Sequence, residues 1–274
     1  MKHYFFSIII IFSFAFGVEA QELVILHTND THSRIEPLPD TDQYNPDLGG
    51  VVRRAAYVDK VRKENENVLL FDAGDFLQGT PYFNMFKGEV EVEAMNLLKY
   101  DAVTLGNHEF DYGMDVLEDI VKKATFPIVC TNYDFTGTPI DEYIKPYLII
   151  NKNGIKVGVI GANIQPLGLI ASMNYEGLKF LPPVETVNKT SEMLRNELKC
   201  DVVICLSHLG IGNELKLAEE SRNIDIIIGG HSHTFMQEPS HRKNLDGKEV
   251  LVYQTNGRGV YVGRIDVKLQ KVKN

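Results

Sequence analysis

The chain has 274 residues, 44% of them hydrophobic and 24% charged, with a formal net charge of -9. This composition excludes extensive disorder and supplies a sizeable core for one or two domains. The acidic balance weighs against a nucleic-acid backbone as partner, but not against a small anionic substrate, because bound cations can supply local positive charge.

The first residues read as a secretory signal over 1–20. Lys2 and His3 precede an apolar run from Tyr4 to Phe16, and Val18-Glu19-Ala20 has the small-x-small form of a cleavage site. The mature chain then starts at Gln21, exported to a periplasmic or extracellular space. The apolar run is shorter than the roughly 20 residues of a membrane span. No cysteine lies beside the cleavage site to carry a lipid, and no later segment is long and apolar enough to span. Residues 21–274 read as one catalytic domain.

Leu23 to Leu26 is a first apolar strand. Arg53 to Asn65 carries Ala56, Val58 and Val61 among charges, as an amphipathic helix does. Val68 to Phe71 is the next strand. Glu91 to Tyr100 is helical, with Val92, Met95 and Leu98 facing inward. A strand at 102–105, a helix at 114–123 and a strand at 127–130 follow. A hairpin is expected at 147–160 and a helix at 184–198. Further strands are expected at 202–206, 225–228, 250–254 and 260–269, the last with two-residue alternation. Strands that alternate with helices, and are apolar on both faces, indicate an α/β domain. The loops at 37–50 and 163–183 are long and rich in Pro, Gly and Asn, a mark of functional or mobile segments. Cys130, Cys200 and Cys205 are odd in number and read as buried, inert thiols.

The chemistry-bearing residues cluster where apolar strands end, which in α/β sheets is where ligands bind. Five strand ends carry them: Asp30-Thr31-His32, Asp72-Ala73-Gly74-Asp75, Gly106-Asn107-His108-Glu109-Phe110-Asp111, Ser207-His208, and Gly229-Gly230-His231-Ser232-His233. Each alone is weak, since an isolated His is more often core or surface than ligand. Five accidental ligands of one class at five strand ends are not credible. Asp, His and Asn without thiolate suit divalent Zn, Mn, Fe or Mg. The set is large enough for two metal ions sharing one carboxylate, with Asp75 able to bridge through its two oxygens. Two such ions clamp the attacking and leaving oxygens of an in-line displacement at phosphorus and activate a water. There is no Gly-x-Ser-x-Gly elbow and no Walker loop. His108, beside Asn107, is assigned to the developing charge or the leaving oxygen. Asp111 either orients its imidazole or caps the following helix.

On these residues the chain resembles the 5'-nucleotidase family of calcineurin-like metallophosphoesterases. The resemblance is carried by Leu23 to Ile35, by Ala73-Gly74-Asp75-Phe76-Leu77-Gln78-Gly79-Thr80, by Tyr100 to Asp111, and by Gly-Gly-His-Ser-His. It implies a four-layered α/β-β/α sandwich with metals at the strand ends. Residue by residue, it implies Asp30, His32 and His233 on one metal, Asn107, His208 and His231 on the second, Asp75 as bridge, and His108 with Asp111 as catalytic dyad. It implies hydrolysis of 5'-nucleotides to nucleoside and phosphate. Other members of the fold act on 2',3'-cyclic nucleotides, UDP-sugars or thiosulfonate esters, and these are the alternative substrates. Family members that hydrolyse nucleotides carry a second, substrate-binding domain, whereas this chain stops shortly after Tyr261-Val262-Gly263-Arg264. A separate substrate-binding chain is therefore an expected partner.

Four residues stay open. His27 either supports a ligand or packs in the core. Arg34 and Arg258 are either phosphate contacts or surface charges. His241 is expected in an exposed polar turn.

Overall fold

The computed structural model describes residues 18–272. The signal-peptide reading rests mainly on positions 1–17, which lie outside the described residues. Among those described, no helix is long and apolar enough to cross a membrane.

The chain runs β1 (Val18–Thr28), α1 (Val51–Glu64), β2 (Val68–Asp72), α2 (Pro81–Phe86), α3 (Glu89–Leu98), β3 (Ala102–Val103), α4 (Gly113–Val121), β4 (Ile128–Val129), β5 (Tyr133–Asp134) and β6 (Ile144–Lys145). It continues through β7 (Leu148–Lys152), β8 (Ile155–Asn163), β9 (Lys179–Phe180), α5 (Pro183–Glu192), β10 (Val202–His208), α6 (Ile211–Glu220), β11 (Ile226–Ile228), β12 (Ser240–Lys243), β13 (Glu249–Tyr253) and β14 (Gly263–Val272).

Two six-stranded sheets result, in the orders β14-β1-β2-β3-β4-β6 and β12-β13-β11-β10-β8-β7. Their central strands are parallel, and β14, β12 and β7 pair antiparallel at or near the edges. Side chains of β1 alternate between two apolar layers. Leu23 and Ile25 join Val157, Val159, Ile204 and Ile228 between the sheets, while Val24 and Leu26 pack with Val58, Val92 and Leu117 of the helices. The second sheet covers its outer face with Val187 and Leu217 of α5 and α6. Burial on both faces explains the continuous apolar strands. The arrangement is helix, sheet, sheet, helix, as the resemblance implied.

The expected strands at 102–105 and 127–130 shorten to two residues each. Thr104 instead sends its hydroxyl to the Val129 carbonyl (2.8 Å), tying two strand ends at the site by a side chain. Two helices were not expected. α2 is short, opened by Pro81 and capped by Thr80, whose hydroxyl accepts from the Tyr82 N–H. α6 buries Glu214 beside Leu217 and Ala218, and that charge interrupts its apolar stripe. His241 lies in β12 rather than in a turn, exposed and paired with Glu249 at 3.0 Å.

Candidate metal centre

The strand-end segments meet in one place. The turn after β1 is bonded to the turn after β2 as if the parallel ladder continued: Asp30 N–H donates to Gly74 O (2.9 Å) and His32 N–H to Asp75 O (3.0 Å). Asp30, His32, Asp75, His231 and His233 all have positive φ, between 47° and 71°. Such left-handed positions are uncommon for residues other than glycine and concentrate at functional sites. Here they turn five polar side chains towards one point.

Two groups of three potential ligands form there, Asp30 with His32 and His233, and Asp75 with His208 and His231. In the first, His233 Nε2 is 3.2 Å from Asp30 Oδ1 and 2.9 Å from His32 Nε2. In the second, His208 Nε2 is 3.1 Å from Asp75 Oδ2. Asn107 Oδ1 lies 2.9 Å from His231 Nδ1. The groups adjoin, since His208 Nε2 is also 3.9 Å from Asp30 Oδ1. All seven residues singled out as ligands are therefore in one cluster.

The donor set fits divalent cations. His208 Nδ1 is 2.7 Å from the Ala73 carbonyl, which fixes it as the N–H donor. That leaves Nε2 buried and facing two carboxylates, Asp75 at 3.1 Å and Asp30 at 3.9 Å. Burial opposes charge on this ring, yet Asp75 and Asp30 outweigh it and push its pKa up to about 10. Burial likewise opposes ionisation of Asp75, but His208, His32 and His108 hold its carboxyl well below the usual range. A buried pocket that favours anionic oxygens and demands positive charge between them is what metal ligands require.

Buried carboxyls that are not ligands hold the loops. Glu109 accepts from the N–H groups of Asp75 (2.9 Å), Leu77 (3.1 Å) and Gly106, binding two loops together. Burial, with Asp75 nearby, raises its pKa to about 8. Asp72 accepts from Thr28 Oγ1 (2.6 Å) and Gly74 N–H (2.9 Å). Glu214 accepts from Gly230 N–H (3.0 Å) and Gln254 Nε2 (2.6 Å), while Gln254 Oε1 accepts from Ser232 Oγ and Thr234 N–H. These contacts fix the His231–His233 loop. Asn29 donates to Asp30 Oδ2 (2.6 Å) and is itself held by Thr255.

His108 stands apart from both ligand groups. Its backbone N–H donates to Asp75 Oδ1 (2.9 Å), and its ring lies edge-on to His32 with centroids 5.4 Å apart. Nδ1 is 3.0 Å from Asp111 Oδ2, and this bond raises the imidazole pKa against the opposing effect of burial. Asp111 makes no side-chain cap on α4. Of the two roles open to it, orienting His108 is the one seen.

Residues 23–235 match the calcineurin-like phosphoesterase family. The chain belongs to that family. It is a phosphoesterase domain of the metal-dependent kind. It is 37% identical over 266 residues to a snake venom 5'-nucleotidase of Naja atra, a match covering 90% of this chain and 50% of that protein. A 5'-nucleotidase precursor from Thermus thermophilus superposes with a TM-score of 0.83 at 35% identity, covering 90% of this chain and 51% of that one. The calcineurin-like phosphoesterase YfkN from Bacillus subtilis gives 0.75 at 32% identity, covering 92% and 86%. The chain spans about half the length of the nucleotidases it matches.

The remaining residues of this phosphoesterase domain fall into place. His27 is fully buried against Tyr253 (centroids 4.9 Å) and Gly263, and its ring nitrogens have no hydrogen-bond partners among the described residues. Burial lowers its pKa to about 3, so it packs as a neutral core ring. Arg258 pairs with Asp42 (2.7 Å), and its backbone N–H donates to Asp30 O (2.6 Å). Arg34 lines a cleft beside the His32 turn. The three cysteines are free and buried, and burial pushes the Cys130 thiol up to about 12.

The supporting residues can be tested separately from the ligands. Gly74 sits at φ 89°, and a Cβ there would lie 2.6 Å from Gly106 N and 2.8 Å from Leu105 O. Gly74→Ala is expected to cost at least about 1–2 kcal/mol from backbone conformation alone. Thermal melting and metal titration should both weaken; unchanged values in both would contradict the account.

Burial raises the Glu214 carboxyl from 4.5 to about 7 in the fold. Its ionisation is therefore easier in the unfolded chain. The contribution to stability is full below about pH 4.5 and is lost as pH rises through about 7. Urea unfolding in chelator at pH 5 and pH 8 should show a smaller loss for Glu214→Gln than for wild type. Equal losses would show that Glu214 does not contribute this slope.

Proposed function

We propose that this domain binds two divalent cations and hydrolyses phosphomonoesters, 5'-nucleotides foremost, to an alcohol and phosphate. The observation that carries the reading is the contact between the two ligand groups, Asp30 with His32 and His233 against Asp75 with His208 and His231. In the proposed assignment Asn107 joins the second group and Asp75 bridges. Zn, Mn, Fe and Mg all suit these donors. When bound, such ions supply Lewis acidity at the phosphoryl group and lower the pKa of water.

The protein's own groups do the rest. The P–O bond to the leaving alcohol breaks as the oxygen of water bonds to phosphorus, and the proton that this water gives up passes to solvent, from which His108 is later reprotonated. The His108 ring, held at Nδ1 by Asp111, delivers a proton from Nε2 to the departing oxygen. Five of the seven ligand positions are in left-handed turns that leave little freedom to reorganise during the reaction. The choice of 5'-nucleotides is supported by the names of the nucleotidases to which the chain is similar. The signal-like residues 1–20 support an exported enzyme.

The test is phosphate release from AMP, other nucleotides and simple phosphoesters with Mn or Zn added. Preference for AMP supports the full reading. Turnover of simple esters without that preference keeps the chemistry and moves nucleotide selection to another polypeptide. No turnover of any of them ends the proposal.

A further inference from the structure

The second ligand group draws on both sheets. Asp75 and Asn107 follow strands of the first sheet, and His208 and His231 lie at strand ends of the second. Their mutual placement therefore depends on how the sheets are spaced where their strands end. Stacked sheets ordinarily lie about 10 Å apart, with side chains between them, and Leu23, Ile25, Val157 and Ile204 fill that layer here. Towards the end of β8 the layer closes. Thr131 N–H donates to Gly161 O (2.9 Å) and Gly161 N–H to Thr131 Oγ1 (3.0 Å), so the second sheet bonds directly to the segment that follows β4. A Cβ on Gly161 would run into the Val129 carbonyl, so only glycine allows this approach.

Asn163, the last residue of β8, uses this approach and is fully buried. Its backbone N–H donates to Asn132 Oδ1 (2.7 Å), and its carbonyl accepts from Asn132 Nδ2 (2.8 Å). Its side chain crosses to the first sheet. Nδ2 donates to the Leu105 carbonyl, while Oδ1 accepts from Cys130 Sγ (3.1 Å) and lies 3.1 Å from Thr104 Oγ1. Leu105 leads directly into Gly106, Asn107 and His108. On its other side, Asn163 is the register partner of His208 in the β8–β10 ladder. One buried amide thus stands between a ligand of the second sheet and the segment of the first that carries Asn107 and His108. The first ligand group is tied across the sheets by another residue: Asn29 Oδ1 accepts from Thr255 N–H (2.8 Å), and Asn29 Nδ2 donates to Asn256 O (2.6 Å).

We propose that Asn163 is a positioning residue of this centre, setting the distance from His208 to Asn107 and His108 through the Leu105 carbonyl. The inference rests on the two-cation phosphoesterase reading above. An amide suits the task because its donor and its acceptor are both used, and its own backbone is fixed on both sides by Asn132. An apolar side chain there would leave the Leu105 carbonyl without this donor in a buried place. An unpaired buried acceptor is costly, so the Leu105–His108 segment would shift to recover a partner. Asn29 does not depend on Asn163, so the first ligand group should keep its spacing when Asn163 is changed.

The test compares Asn163→Ala with Thr131→Ala, which breaks a tie at the same seam without bonding to residues 105–108. Both variants should melt at a lower temperature than wild type. Only Asn163→Ala should lose about 10–100-fold in kcat, with KM within about twofold, the size of effect seen when a group that orients metal ligands is removed. In calorimetric titration of the chelator-treated protein with Mn, one of two binding events should weaken by about the same factor in Asn163→Ala and the other by less than about threefold. Thr131→Ala should match wild type in kcat and in both events. Asn163→Ser, a milder change whose hydroxyl is too short to reach the Leu105 carbonyl, should show the same pattern and serves where the alanine variant does not fold. Wild-type kcat and Mn affinity in a folded Asn163 variant, or equal losses in Thr131→Ala, overturn the proposal. Where the wild-type chain binds Mn but hydrolyses no ester, the titration alone decides on Asn163, and only the phosphoesterase reading falls. Where it hydrolyses esters and the Asn163 variants match it, the role of Asn163 alone is removed.

Discussion

Asp75→Asn is expected to abolish turnover and empty at least one metal position. Asn keeps the volume and one oxygen, so the His108 N–H keeps its acceptor. What disappears is the negative charge and the second anionic oxygen, 3.1 Å from His208 Nε2. Substituting groups that merely orient metal ligands already costs about 10–100-fold. Losing a carboxylate assigned to both ions should therefore exceed roughly a thousandfold in kcat. Metal analysis and kinetics on the same preparation check this. Full metal content with more than about a tenth of wild-type activity would remove Asp75 from the centre.

His108→Asn has a different signature. The imidazole lies outside both ligand groups, so metal content should stay at the wild-type level. Loss of a general acid costs roughly 10²–10⁴-fold. That loss should depend on the leaving group. An alkyl phosphate, whose alkoxide leaves poorly without a proton, should show most of it. An ester of an acidic phenol should show little. Asp111→Asn, which removes the negative charge from the acceptor 3.0 Å from Nδ1, should fall between His108→Asn and wild type in the same order. A loss that is uniform across leaving groups would mean that His108 stabilises the phosphoryl oxygens instead.

The sites of the seven metal-type ligands were readable because parallel strands buried on both faces are uniformly apolar. Leu23–Leu26, Val68–Phe71 and Val202–Leu206 therefore make the polar residues that follow them conspicuous. The supporting residues were not readable in the same way. Glu109 lies within the Gly-Asn-His-Glu-Phe-Asp run, but its role depends on N–H groups of Asp75 and Leu77, more than 30 positions away. Glu214 offered one signal, an acid beside Leu217 and Ala218 on a helix face, and its partners Gly230 and Gln254 come only from the packing of the second sheet. The left-handed conformations of Asp30 and His32 are imposed by the neighbouring Gly74–Phe76 backbone rather than by their own preferences. Local rules predict elements, whereas these features belong to the contacts between them.

The central claim is that one cluster holds two cations and that hydrolysis depends on them. Metal analysis of the wild-type chain, after equilibration with Mn or Zn and removal of excess, tests it most directly when phosphate release is followed on the same sample before and after chelation. Two equivalents per chain are expected, with activity lost in chelator and restored on adding metal back. Fewer than one equivalent, with activity unchanged in chelator, would contradict it.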